Sequence, residues 1–290
     1  MISKALKPLR AAALVALAAG LAPLAGLAAT EDGHVTIPRQ KWTFGGIFGQ
    51  FDEAQLQRGF QVYQEVCSAC HGLNRVAFRN LVERGGPQFP EEAVKELARN
   101  WPNKVLDGPN DEGKMFEREP RLSDPVLGPY RNEKEARAAQ NGALPPDLSL
   151  IAKARSLEPT APWYIHPFLM LRDVAVAYQE GGADYTYALL DGYKEPPPGF
   201  TLAEGMYYNT AFPGHQIAMA PPLSKDRFVT YQDGSGSPEE NMKDVTAFLA
   251  WAGDPSLEAR KHMGWQVILY LLITTGLLYV AKKRLWSRLH

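Results

Sequence analysis

Only two cysteines occur in 290 residues, Cys67 and Cys70. That scarcity excludes a disulfide framework and leaves no second cysteine pair to complete a zinc site. His34, His166, His215, His262 and His290 are scattered without i, i+4 pairing, so histidines do not supply one either. No internal repeat and no long alternating apolar run is present, which argues against a solenoid and an extended sheet. Acidic residues are missing from both ends: all 32 Asp and Glu lie between Glu31 and Glu258. Residues 30–259 carry 22 basic against those 32 acidic side chains, so the near-neutral total of -1 hides an acidic middle between basic ends. Such a middle speaks against nucleic acid as a partner and for a cationic one.

The ends read as an address and an anchor. Residues 1–29, MISKALKPLRAAALVALAAGLAPLAGLAA, combine a basic start with an Ala/Leu-rich run and small residues near Ala28. This is the layout of a secretory signal peptide, and Gly20, Pro23 and Gly26 interrupt it too often for a transmembrane helix. Near the other end, MGWQVILYLLITTGLLYVA (263–281) is uncharged throughout. A helix of that length spans nearly 30 Å, the thickness of a bilayer's hydrocarbon core. Trp265, Tyr279 and Trp286 flank it, and Lys282, Lys283, Arg284 and Arg288 follow. The excess of positive charge predicts a cytoplasmic C-terminus, with the large domain on the periplasmic side of the inner membrane. The expected organisation is a signal peptide (1–29), a periplasmic domain (30–259), a transmembrane helix (260–281) and a basic tail (282–290).

Between the ends the chain is helical where its periodicity is clear. DEAQLQRGFQVYQEV places Leu56, Phe60, Tyr63 and Cys67 on one helical stripe. Helices are also predicted over 91–101 and 132–142. Ser237, Pro238 and Glu240 form a capping box for a helix over 237–253, with Met242, Val245, Phe248, Leu249 and Ala252 on its buried face. Turn-rich tracts separate these helices, among them GALPPDLS (142–149) and FPGHQIAMAPPL (212–223). A mainly α domain with long loops wrapped around a bound group is the natural inference.

The cysteines sit in EVCSACHGL (65–73). Cys-x-x-Cys alone suits a redox disulfide, but that reading needs a βαβ context that is missing here. Cys-x-x-Cys-His is the attachment signature of c-type haem: two thioethers fix the porphyrin edge and the adjacent imidazole becomes the proximal ligand. Gly72 then lets the chain leave the ring closely. For the sixth position Met219 stands out, flanked by alanines and followed by Pro221 and Pro222, which stiffen its loop; His215 is the nearest competitor.

EVCSACHGL, NGALPPDLS, GGADYTYALLDGY, EGMYYN followed by QIAMAPPL, and DVTAFLAWAGDPSLEARKHMG before a single span resemble, in this order, the cytochrome c1 family. These are the haem subunits of the quinol–cytochrome c reductase (cytochrome bc1) complex. The resemblance runs from about Trp42 to the C-terminus. It implies a c-type cytochrome domain with long loops around one covalent haem, on one C-terminal transmembrane helix. It implies Cys67 and Cys70 as thioether cysteines, His71 as proximal and Met219 as distal ligand. Arg118 matches an arginine near the haem propionates, and Asn141, Pro145 and Pro146 match the loop along the haem edge. The implied role is one-electron transfer within a reductase, without substrate chemistry in this chain. The implied partners are a cytochrome b subunit, a Rieske iron–sulfur donor and a c-type cytochrome acceptor, in a dimeric complex. An anchored carrier serving another oxidoreductase and an anchored haem sensor are the rival readings. Two departures stand out. Residues 156–179 match the family pattern poorly; their apolar content suits an extra core helix or a surface for a neighbouring subunit, and the core helix is the expectation. With no third cysteine, the disulfide that some members carry near the distal-ligand loop cannot form.

Overall fold

The computed structural model describes Val35 and residues 37–155, 162–176, 178 and 180–287. The expected signal peptide, residues 1–29, lies outside these residues. Helix α1 (Glu53–Glu65) opens on Asp52, whose carboxylate accepts from the Gln55 amide. Helix α2 (Glu91–Arg99) starts with two acidic residues in its first turn, which favours the positive end of the helix dipole. Helix α3 (Glu133–Ala139) is capped by Asn132. Short α4 (Ile151–Ala154) and then α5 (His166–Ala175), α6 (Gly181–Asp191) and α7 (Pro238–Gly253) follow. The last helix, α8, runs from Leu257 to Trp286. Among the described residues, strands form only two-stranded antiparallel ladders. They pair β1 (Leu73–Ala77) with β4 (Pro125–Val126), β2 (Val105–Asp107) with β3 (Phe116–Arg118), and β5 (Tyr207–Tyr208) with β6 (Gln216–Ile217).

The core is the crossing of α1 and α7. Phe60, Tyr63, Phe248 and Trp251 meet there as tilted and edge-to-face rings, with centroids 5.5 to 6.3 Å apart. Such geometries let the positive ring edge meet the negative face. Gly59 makes the crossing possible: a Cβ there would lie 2.1 Å from the Asp244 carbonyl oxygen. Beside it, the buried Asp244 carboxylate accepts from Arg58 Nε at 2.7 Å, Gln55 Nε2 at 3.0 Å and the Tyr231 hydroxyl at 2.8 Å. A buried charge is tolerable when its lone pairs are matched in this way. Asn241, also buried, exchanges both amide groups with the backbone of Val229 and ties the loop before α7 to the helix.

Ser237 caps α7 as its sequence predicts, accepting from the Glu240 amide at 3.2 Å. Helix α6 packs on α4 and α7; its GGADYTYALLDGY stretch carries no 3.6-residue stripe because nearly every side chain in it is buried. Helix α8 continues unbroken past Lys282 and Lys283 to Trp286, so the limits 260 and 281 both fall inside one helix. At about 1.5 Å per residue it is roughly 45 Å long, and none of its apolar window is buried. The expectation of a core helix within 156–179 is overturned. Helix α5 contains no fully buried residue: Leu169 is half-buried, while Phe168, Met170, Leu171 and Val174 are exposed.

Candidate functional site

Helix α1 ends at Glu65 and delivers the cysteine motif as a single tight turn. The Cys67 carbonyl accepts from the Cys70 amide at 3.1 Å and the His71 amide at 2.9 Å. Both cysteines are free thiols, and both are half-buried. Burial pushes the Cys67 thiol up to about 12, with Cys70 beside it adding to the shift.

His71 is fixed by its backbone and its ring. Its carbonyl accepts from the Tyr63 hydroxyl at 3.0 Å. Its Nδ1 lies 2.7 Å from the carbonyl oxygen of Pro146. A carbonyl oxygen can only accept, so Nδ1 carries the proton and Nε2 keeps the free lone pair. Burial lowers the imidazole's pKa, which also favours the neutral, ligating form.

The loop after α3 is zipped onto the same strand. The Leu148 amide donates to the Gly72 carbonyl at 2.9 Å. The Asn74 amide donates to the Asp147 carboxylate at 2.8 Å, and the Arg75 amide to the Ser149 hydroxyl at 3.0 Å. Gly72 meets Gly128 back to back, and a Cβ on Gly72 would lie 2.6 Å from the Gly128 nitrogen. Close approach at Gly72 is therefore already required by Gly128. From the end of α3, Gln140 Nε2 donates to the Tyr130 hydroxyl at 2.6 Å and reaches Cys70 Sγ at 3.5 Å. Asn141 turns the chain with φ 50° into the Pro145–Pro146 loop.

Thus Cys67, Cys70, His71 and Pro146 are brought together directly, with Asn141 and Pro145 in the loop that supplies Pro146. Met219 sits apart in sequence, just beyond the β5–β6 hairpin, between the buried Ile217 and Leu223. Its carbonyl accepts from the Tyr193 hydroxyl at 3.0 Å, which pins the loop while leaving the half-buried thioether unconstrained by that bond. The competing His215 has Nδ1 on the Asn209 carbonyl at 3.1 Å and its ring stacked on Tyr208. Arg118, on β3, has its donors matched by two carboxylates: Nε pairs with Asp107, and both terminal nitrogens pair with Asp124. Its charge holds both carboxyls below the usual range.

Tyr63, Gln140, Asp147 and Tyr193 are contributors that sequence reasoning missed. Tyr63 reads as a core position on its helical stripe, and nothing marks its hydroxyl as a tether. Asp147 was the one legible signal, an acidic side chain directly after a proline pair.

The donor set fits a c-type haem: two unpaired thiols one turn apart, and an imidazole whose Nε2 is left free by its other nitrogen's bond. Among the described residues no group of three His, Cys, Asp or Glu side chains could hold a metal ion by themselves. A helical domain that presents this motif at the end of its first helix and continues into one apolar helix has the layout of a membrane-attached c-type cytochrome.

Residues 42–289 match the Cytochrome C1 family. The chain is 47% identical to "Cytochrome c1" of Blastochloris viridis over 281 residues, 96% of each protein. It is 42% identical to "Cytochrome c1 1, heme protein, mitochondrial" of Arabidopsis thaliana, over 86% of this chain and 72% of that one. All of it also aligns at 47% identity with "Cytochrome b/c1" of Bradyrhizobium diazoefficiens, of which it spans 42%. The chain belongs to the cytochrome c1 family, the haem subunits of cytochrome bc1 complexes.

Proposed function

We propose that this chain binds one haem c through thioethers at Cys67 and Cys70, with His71 Nε2 and Met219 Sδ as axial ligands. In this reading it carries electrons within a dimeric quinol–cytochrome c reductase, from a Rieske iron–sulfur protein to a c-type cytochrome. The cytochrome b subunit is its membrane neighbour. The haem domain (30–259) faces the periplasm, the anchor starts near Arg260 and the basic tail lies in the cytoplasm. Residues 1–29 act as a removable export signal.

The observation that carries the reading is the His71 Nδ1–Pro146 bond, which fixes the tautomer an iron ligand needs. When bound, the haem supplies a one-electron iron couple. The protein's work is to position and tune it. The Pro146 carbonyl orients the imidazole and raises its basicity, and the Tyr63 hydroxyl holds the backbone beneath. The zipped 146–149 loop and the Gly72–Gly128 contact keep that strand from sliding. Asn141 and Pro145 shape the loop that would border the haem edge. Arg118 would reach a propionate only as part of its cluster with Asp107 and Asp124, whose two carboxylates outnumber its one positive charge.

Purification of the full chain in mild detergent tests the whole reading. A pyridine haemochrome spectrum typical of two thioether links, with a multispan cytochrome b and a Rieske protein in the same fraction, is the expected result. Haem lost to acid–acetone extraction would end the covalent assignment. Copurification with neither subunit would end the reductase assignment.

The acidic middle of the chain should also steer a basic cytochrome. The bimolecular rate of electron delivery to it is expected to fall steeply as salt rises past about 0.1 M, where the screening length is about 10 Å. A rate indifferent to ionic strength in stopped-flow measurements would remove the steering.

A further inference from the structure

Among the described residues, helix α5 and the turn before it show the largest apolar exposure outside α8. Trp163 is 81% exposed, Phe168 72% and Val174 75%. Around the helix the half-buried His166, Leu169 and Asp173 share one face, at spacings of three and four residues. Phe168, Leu171 and Val174 lie on the outward arc, with the exposed Met170 at its edge beside His166. A water-soluble surface rarely leaves such a patch uncovered.

Its place in the fold says what covers it. Asp173 pairs with Arg39 at 3.1 Å, and the Arg39 guanidinium lies 3.7 Å over the Tyr178 ring. Tyr178 donates to Asp184, which also accepts from the Gln40 amide and the Trp42 indole. Two residues beyond Tyr178, Glu180 accepts from the Gly46 amide at 3.2 Å. The same 44–49 segment grips the root of α8: Lys261 Nζ donates to the Phe44 carbonyl at 2.6 Å and the Gly49 carbonyl at 3.2 Å. Phe48, 78% exposed, packs edge-on against Trp265, where the uncharged stretch begins. Helix α5 is therefore tied, through one short segment, to the point where α8 leaves the domain.

We propose that α5 and the Trp163–Tyr164 turn lie in the membrane–water interface, as a second, peripheral lipid contact beside the anchor. The chemistry suits a lipid surface. One broad apolar arc is bordered by Arg172, whose guanidinium pairs with Asp173 at 3.1 Å, and an aromatic pair stands at the start of the helix. With Phe48 these residues would fix the tilt of the haem domain over the bilayer, which a single helix cannot do alone. The inference rests on α8 being a membrane span.

Site-directed spin labelling of the full-length holoprotein in lipid nanodiscs tests it, with labels at Val174→Cys, Phe168→Cys and, inside the span, Leu277→Cys. The unlabelled cysteines are tied up as thioethers in the proposed holoprotein, so the unsubstituted chain is the blank. An unchanged haem spectrum certifies each variant's fold. Labels at 168 and 174 are expected to be more accessible to oxygen than to a water-soluble nickel chelate, approaching the label at 277. Preference for the chelate at 168 and 174 with oxygen preferred at 277 would overturn the inference and leave the anchor intact. Preference for the chelate at all three would remove the anchor itself. Shielding of 168 and 174 from both reagents would replace lipid by a protein subunit and also overturn the proposal.

Discussion

Replacing Met219 with leucine is expected to lower the haem midpoint potential by a few hundred millivolts, a substantial part of the roughly 0.8 V range that axial ligands command. Leucine keeps the volume of the side chain and removes only the sulfur. The loop itself should hold, because Tyr193 bonds the Met219 carbonyl and not its side chain, and Pro221 and Pro222 are untouched. The direction follows from chemistry: a thioether favours ferrous over ferric iron, and its loss favours the ferric state. Redox titration of the purified protein measures the shift. An unchanged potential, with a shift instead on replacing His215, would transfer the ligand role to His215. That outcome would require His215 to ligate through Nε2, since its Nδ1 proton is committed to the Asn209 carbonyl.

Phe248→Ala removes the ring at the centre of the α1–α7 crossing and is expected to destabilise the domain by about 3–5 kcal/mol. For a domain of this size that corresponds to roughly 10 °C or more in melting temperature. Phe248 is fully buried and touches the rings of Phe60, Tyr63 and Trp251. The cavity would lie against Tyr63, whose hydroxyl supports the His71 backbone, so loss of packing reaches the site as well. Thermal melts of the detergent-solubilised protein, followed by haem absorbance and by circular dichroism, measure both effects. Phe248→Leu, which leaves a smaller void, should lose distinctly less. Equal losses for the two variants would mean that ring packing is not what holds this crossing.

Helices whose pattern is local were legible before any coordinates. Asp52, Asn132 and Ser237 each cap a helix at its predicted start, because a cap needs only a few consecutive residues to form. The span was equally legible, since its length and lack of charge are properties of composition. Helix α6 was not, because burial on all sides erases the amphipathic signal that reveals a helix. For 156–179 the core reading fails and the surface reading stands for the converse reason: apolar residues look the same in sequence whether they face a core or face outward, and only packing distinguishes the two.

By itself the sequence determined the chemistry of the candidate donors and the family of the chain. Two cysteines and a histidine in five residues restrict what can be bound, and block order over most of the chain identifies the relatives. Only the tertiary structure decided how His71 is held. The Pro146 carbonyl comes from 75 residues away, and Gly128 backs Gly72 through a contact that no local pattern encodes. Ligand identity is a property of residue type, which a sequence writes down. Ligand orientation depends on hydrogen bonds between distant backbone segments, and those exist only once the chain has folded.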